Sequence, residues 1–198
     1  MNKLVSVVGA SGVGKTTLVQ ALARTGKFTT AYEQHAERPF QALFKQDARY
    51  ALANQVDYLL LRARQEWELR GTKIGLSIGL MDGGLDLDFH GFTRLFHYQG
   101  LLSNPEYDLC RQLYDYIRMS QPGPELIVRL CADEKTVAGR LGGRERINIA
   151  RPEDTSLFDG FIDEWLASLP SGDVLRLDVS EETPNYETSA KTILEHLK

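Results

Sequence analysis

The sequence predicts a three-layer α/β fold, with a five-stranded parallel sheet flanked by helices. Three observations lead there. Short apolar, β-branched runs alternate along the chain with stretches of helical periodicity. The first such run passes through a glycine-rich turn directly into a helical pattern. Two further apolar runs close on carboxylates, Glu33 and Asp82, at strand ends where parallel sheets bind their ligands.

Taken in order, Lys3-Leu-Val-Ser-Val-Val8 reads as a buried strand, and Leu18, Leu22 and Ala23 repeat at helical spacing after it. Phe28 to Glu33 reads as a second strand. Pro39 suits the first turn of a helix, and the pattern stays helical to Gly71, with Leu52, Val56, Leu59 and Leu60 as its apolar stripe. Ile74 to Met81 is a third strand, ending at Asp82. Helices are expected at about 88–101 and 105–120, separated by Ser103-Asn-Pro105. Glu125 to Cys131 is a fourth strand, introduced by Pro122-Gly-Pro124. Residues 134–141 read as helix and Gly142-Gly-Arg-Glu-Arg146 as a charged loop. A helix at about 155–169, a strand at 174–179 and a helix at about 187–197 complete the chain.

At 198 residues and 42% hydrophobic, the chain has material for one full core, so a single domain over 1–198 is expected. A net charge of −4 argues against a dedicated nucleic-acid binder, which carries a basic excess. No apolar run approaches the ~20 residues that cross a bilayer, and the N-terminus enters a strand without a signal-like segment. Cys110 and Cys131 lie in apolar contexts and read as buried thiols of a reducing compartment, by default the cytoplasm.

The chemistry concentrates in Gly9-Ala10-Ser11-Gly12-Val13-Gly14-Lys15-Thr16-Thr17, which fits G-x-x-x-x-G-K-[ST] between a strand and a helix. Glycines at 9, 12 and 14 let backbone N–H groups wrap a polyphosphate, and the helix N-terminus adds positive potential. Lys15 then reaches the β- and γ-phosphates and the Thr16 hydroxyl ligates Mg²⁺, so ATP and Mg²⁺ are the expected cofactors. Glu33, 18 residues after Lys15, is placed to take a proton from an attacking hydroxyl, though a solvated strand-end glutamate is the plainer alternative. Asp82 is placed to hold Mg²⁺ directly or through water; before Gly83-Gly84 it also reads as an ordinary turn aspartate. Arg140, Arg144 and Arg146 cluster where a lid over about 142–152 would neutralise a transferring phosphoryl group, or form a solvated basic loop.

With these residues in view, the chain resembles the deoxynucleoside kinases over most of its length. Arg38-Pro39-Phe40-x-x-x-Phe44-x-x-Asp47-x-Arg49-Tyr50-Ala51-x-x-x-Gln55-x-x-Tyr58-Leu59-Leu60-x-Arg62 looks like that family's long helical stretch after its glutamate base. Asp82-x-x-Leu85-x-x-Asp88-x-His90-x-Phe92 is similar to its D/E-R-S-x-x-x-D-x-x-x-F segment, and Arg140-Leu141-x-x-Arg144-x-Arg146 to its R-I-x-x-R-G-R lid. The resemblance implies a P-loop kinase fold and transfer of the ATP γ-phosphate to a deoxynucleoside 5′-hydroxyl, a purine nucleoside by preference. It implies Glu33 as general base, Gln55 on the base edge, Phe92 packed on the base, and Asp88 with Arg62 as a polar pair that tunes base choice. Asp82 falls near Mg²⁺ and the three arginines close over the phosphates. The residues alone place Gln55 on a helix surface and Phe92 in the core. Family members pair through long helices, so the 39–70 and 88–120 helices offer surfaces for a homodimer.

The departures lie at the substrate. Gly83 stands where the family has the arginine of its acid-Arg-Ser segment, and Gly84 where it has the serine. Phe44 stands for a tyrosine that helps bind the sugar 3′-oxygen, and Ile149 for a lid glutamate that shares the task, unless Glu145 or Glu153 reaches in. Losing one preorganised cation costs ~10²- to 10³-fold in rate. Two readings follow: a working kinase in which Arg38 or Arg94 takes over for Gly83, or a weakly active or inactive ATP-binding protein with a partner or regulatory role. A nucleoside monophosphate kinase is a third, less suited because Gly83 removes a cation the acceptor phosphate needs.

Overall fold

The computed structural model describes residues 2–32, 37–71, 78–141 and 154–198, with only the backbone at Glu134 and Leu141. Five strands form one parallel sheet: β1 (Leu4–Val8), β2 (Phe28–Ala31), β3 (Ile78–Asp82), β4 (Leu126–Cys131) and β5 (Val174–Asp178), in the order β2-β3-β1-β4-β5. The central strand β1 is buried at every residue, β3 and β4 nearly so, and the edge strands β2 and β5 are only half-covered. Continuous apolar runs are what strands covered on both faces require. β1 carries the reversal of strand order, and its neighbours meet it in the register Val7↔Asp82 and Val7↔Val128. The loop after β1 and the end of β3 therefore lie side by side at the carboxyl edge, where such sheets open a ligand crevice.

The helices are α1 (Lys15–Ala23), α2 (Pro39–Gln46), α3 (Ala51–Gly71), α4 (Leu85–Leu87), α5 (Arg94–Tyr98), α6 (Asn104–Ser120), α7 (Glu134–Leu141), α8 (Thr155–Ala167) and α9 (Glu187–His196). The helical run expected from Pro39 to Gly71 is broken. Asp47 adopts an extended conformation and its carboxylate takes the Arg49 N–H at 2.9 Å, starting a 3₁₀ turn over Ala48–Tyr50 before α3. The expected stripe also needs one correction: Leu59 is fully buried whereas Leu60 is exposed. Cys131 likewise is half-covered, while Cys110 is buried and burial pushes its thiol up to about 11. Between α4 and α5 the chain widens into a π-helical turn, Asp88–Thr93. Its carbonyl at Asp88 accepts from two side chains, Thr93 Oγ1 at 3.0 Å and Gln55 Nε2 at 3.2 Å.

Two apolar layers hold the sheet. Val5, Val7, Leu80, Val128 and Leu130 pack with Leu18 and Leu22 of α1 and Ile193 of α9 on one face. Val8 and Ile127 pack with Phe158, Ile162 and Trp165 of α8 on the other. Among the described residues no helix is long and apolar enough to cross a membrane.

Candidate active site

The loop after β1 turns through Gly9, Gly12 and Gly14 at φ of 152°, 83° and 111°, conformations that a Cβ disfavours. Gly14 caps α1 with no side-chain hydrogen bond and no acidic residue follows in the first turn, so the N-terminal amides keep their positive potential. Tyr186 lies against the back of the loop, so close that a Cβ on Gly14 would come within 1.9 Å of its hydroxyl oxygen. Lys15 Nζ folds over the loop and donates to the carbonyls of Gly9 and Ala10, at 2.9 and 3.0 Å. An ammonium that among the described residues bonds carbonyls in this way has strong reason to move onto a phosphate.

Thr16 Oγ1 donates to Asp82 Oδ2 at 2.5 Å, so the loop hydroxyl and the acid at the end of β3 meet. Asp82 is 1% exposed, and its other oxygen, Oδ1, has no hydrogen-bond partner among the described residues. A buried, orphaned carboxylate oxygen beside a hydroxyl is a hard-oxygen donor set that fits Mg²⁺, which binds through one or two carboxylates and the substrate's phosphates.

Beside this end of β3 lies a polar cluster. Arg62 Nε donates to Asp88 Oδ2 at 2.8 Å, Nη1 donates to Gln65 Oε1 at 3.1 Å, and Gln65 Nε2 reaches the Tyr32 carbonyl at 3.3 Å. Gln55 is buried rather than on the helix surface. Phe92 packs its ring against Phe158, 4.7 Å between centroids, and Phe44 against Phe96 at 5.2 Å, where it lies with Ala51 and Leu102. Gln55, Arg62, Asp88 and Asp82 are thus brought to one end of the sheet. Arg38 is held by Asp57 through two hydrogen bonds, and Arg94 by Glu164 at 2.6 Å and the face of Phe161.

Arg140 points back onto the loop: Nη1 donates to the Val13 carbonyl at 2.6 Å and Nη2 to that of Val179 at 2.9 Å. It ties α7 to the phosphate loop and to the residue after β5. Glu33, Arg144, Arg146 and Ile149, with the whole of the expected lid over about 142–152, lie outside the described residues.

Sequence reasoning missed a buried charge network behind the site. Glu66, fully buried on α3, accepts from the Leu85 N–H at 3.0 Å and from Arg118 at 2.7 Å. Arg118 Nε also donates to Asp86 at 2.9 Å, as does the Tyr114 hydroxyl at 2.7 Å, and that hydroxyl lies 3.2 Å from His90 Nε2. Burial pushes the Glu66 carboxyl up, with Arg118 pulling against it, and burial also raises the Tyr114 hydroxyl, helped by Asp86. Burial alone would lower Arg118, but Asp86 and Glu66 outweigh it and hold the guanidinium charged. Glu66 pins the turn at Gly84–Leu85, where a Cβ on Gly84 would lie 3.1 Å from Ser6 Oγ and 3.5 Å from Glu66 Oε1. Nothing in the local pattern of α3 or α6 pairs these charges, since the partners are 52 residues apart.

With this geometry in view, a sequence model of the deoxynucleoside kinases matches residues 5–198. The chain belongs to the deoxynucleoside kinase family. Its membership makes it one of a family of phosphotransferases, and the five-stranded parallel sheet is the fold of that family. The chain is 23% identical to a deoxyadenosine/deoxycytidine kinase of Bacillus subtilis (strain 168), over 99% of this chain and 92% of that protein. It is 25% identical to a deoxyadenosine kinase of Dictyostelium discoideum, over 72% of this chain and 57% of that protein. In three dimensions it is similar to a deoxyadenosine kinase from M. mycoides with dCMP and a flexible dCDP bound. There the TM-score is 0.79 at 17% identity, covering 98% of each chain. The same kinase with dATP bound matches at a TM-score of 0.77 and 16% identity.

Proposed function

We propose that the protein transfers the γ-phosphoryl group of ATP to the 5′-hydroxyl of a deoxynucleoside, with a purine preferred. The observation that carries this reading is the contact between Thr16 and Asp82, which joins the phosphate loop to the acid of β3 beside the buried Gln55–Asp88–Arg62 cluster. A polyphosphate site and a cluster of fixed donors and acceptors then adjoin, as transfer to a hydroxyl of a polar ring compound requires.

In this reading the loop amides and Lys15 hold the β- and γ-phosphates. Thr16 and Asp82 hold Mg²⁺, which when bound neutralises charge on the phosphate oxygens. The acceptor oxygen bonds to the γ-phosphorus as the bond to the β–γ bridging oxygen breaks. ADP departs with that electron pair, and the hydroxyl proton passes to Glu33. Arg144 and Arg146 close over the phosphates, Phe92 flanks the base, and Phe44 borders the sugar. Both relatives are named for deoxyadenosine, one of them for deoxycytidine as well, and the purine they share is what supports this preference. The free thiols Cys110 and Cys131 suit the reducing cytoplasm. Exposed Leu60 and Trp67 on α3, with Leu109 and Tyr116 on α6, suit a homodimer through these two helices.

Gly83-Gly84 in place of arginine and serine favours the second reading, a weak or inactive ATP-binding relative. Incubating the protein with ATP·Mg²⁺ and each of the four deoxynucleosides and four ribonucleosides separates the two. Monophosphate formation that disappears in Lys15→Ala and Glu33→Gln is the expected result. ATP binding with no product from any nucleoside would favour the second reading.

A further inference from the structure

The buried charges behind the site are tied to it through one face of α3. Gln55, Arg62 and Glu66 follow one another there at helical spacing, which puts all three on the same side. All three reach the helical run that begins at Leu85 and passes through the π-helical turn into α5. Gln55 Nε2 donates to the Asp88 carbonyl, Arg62 Nε to the Asp88 carboxylate, and Glu66 Oε1 accepts the Leu85 N–H at 3.0 Å. The last contact supplies a cap that the run lacks, since Gly84 precedes it without a side chain to accept that bond. Gly83 and Gly84 hold φ of 85° and 138°, and two glycines in succession give the turn no stiffness of its own. Gly83 is fixed to β1, its N–H on the Val7 carbonyl and its carbonyl accepting from Ser6 Oγ. Past that point, the aim of the run depends on α3.

We propose that Glu66 and Arg118 are positioning residues for the acceptor nucleoside, an inference that rests on the phosphoryl-transfer function above. Arg118 comes from α6 and grips two carboxylates at once, Glu66 through Nη1 at 2.7 Å and Asp86 through Nε at 2.9 Å. Glu66 belongs to α3 and Asp86 to α4, so the guanidinium fixes the distance between these two elements. Tyr114, one turn earlier on α6, donates to Asp86 at 2.7 Å, and Gln121 Nε2 donates to Glu66 at 3.3 Å. The side chains of Glu66, Asp86 and Arg118 are 0%, 10% and 14% exposed, so water competes little for these bonds. Arginine suits the task because its planar fork bonds in fixed directions. On the site side, α3 carries Gln55 and Arg62, and the run from Leu85 carries Asp88 and Phe92. The bracket thus sets the gap between the two elements that would hold the nucleoside. A misplacement of about 1 Å costs roughly 10²-fold in rate, so a rigid spacer behind the site bears directly on turnover. None of these contacts involves the phosphate loop, so the bracket acts on the acceptor and not on ATP.

The test compares wild type with Glu66→Leu/Asp86→Asn/Arg118→Leu, which removes the charges of the bracket together and strands none of them. Thermal melting, ATP titration and steady-state kinetics with every nucleoside the wild type accepts are read on both. Expected is a folded variant that binds ATP as the wild type does, while kcat/KM for every accepted nucleoside falls about 10²-fold. Arg118→Lys keeps a cation between the carboxylates without the fork, and it decides the matter if the triple variant does not fold. The same one-sided loss, of smaller size, is expected of it. A lower melting point with both substrates handled normally marks a merely structural role and overturns the proposal. A parallel loss toward ATP and nucleoside also overturns it. A wild type that binds ATP and phosphorylates nothing overturns the function above and this inference with it, whereas an active wild type with unaffected variants overturns only the inference.

Discussion

Arg62 and Asp88 form an ion pair at 2.8 Å whose side chains are 3% and 7% exposed, joining the middle of α3 to the start of the π-helical turn. Breaking such a pair from one side leaves an uncompensated charge in the interior. Asp88→Ala is expected to cost about 3–5 kcal/mol in urea unfolding, while Arg62→Met/Asp88→Leu costs far less because both charges leave together. A double variant as unstable as the single would show that packing of the turn, and not the charge, carries the loss.

The contact of Asp82 with Thr16 makes a second prediction. Asp82→Asn keeps an acceptor for the hydroxyl, so the fold survives, but the orphaned anionic oxygen is gone. We expect kcat to fall by about 10²- to 10³-fold and half-saturation to need more Mg²⁺. Initial rates across a Mg²⁺ titration check this, and an unchanged titration would remove Asp82 from the metal site.

His90 gives a pH signature. It stacks on Trp165, ring centroids 5.1 Å apart and nearly parallel, and burial lowers its pKa to about 4. Because the folded state holds the imidazole neutral, its contribution is complete above pH 6.5. It is lost as the pH falls toward 4, where the unfolded chain has taken up a proton the folded chain has not. The difference is ~3 kcal/mol at full extent. In His90→Phe, stability measured by denaturant between pH 7 and 4.5 should decline less steeply than in the wild type. Parallel declines would contradict the assignment.

Gly14 allows Tyr186 its seat against the phosphate loop. Gly14→Ala meets the Tyr186 hydroxyl oxygen at 1.9 Å and Cζ at 2.8 Å, on a backbone at φ 111°. Overpacking of about 1–3 kcal/mol translates to a melting point roughly 2 to 12 °C lower. ATP affinity by titration should weaken in parallel. Normal binding and melting together would mean that the loop re-forms around the methyl group.

Association through α3 and α6 is a matter of sedimentation. Trp67 and Tyr116 are exposed on the two helices, and Trp67→Glu/Tyr116→Glu puts charge into both. The wild type should sediment as a dimer and this variant as a monomer. Identical masses for the two proteins would place any interface elsewhere.

What the sequence determined by itself was local. The run Leu4–Val8, the loop glycines and the opening of α1 are contiguous, so strand, turn and helix follow from one short segment. All five strands and the ends of most helices were legible for the same reason: apolar periodicity and Pro or Gly punctuation are carried within each element. The break at Asp47 escaped notice because a single side-chain bond to the Arg49 amide made it, against an unbroken helical pattern. Tertiary structure alone decided which charges meet. Arg118 meets Glu66 from 52 residues away and Asp86 from 32. The physical reason is that a buried charge is stable only against a partner placed by the fold, and no periodicity in the chain records who that partner is.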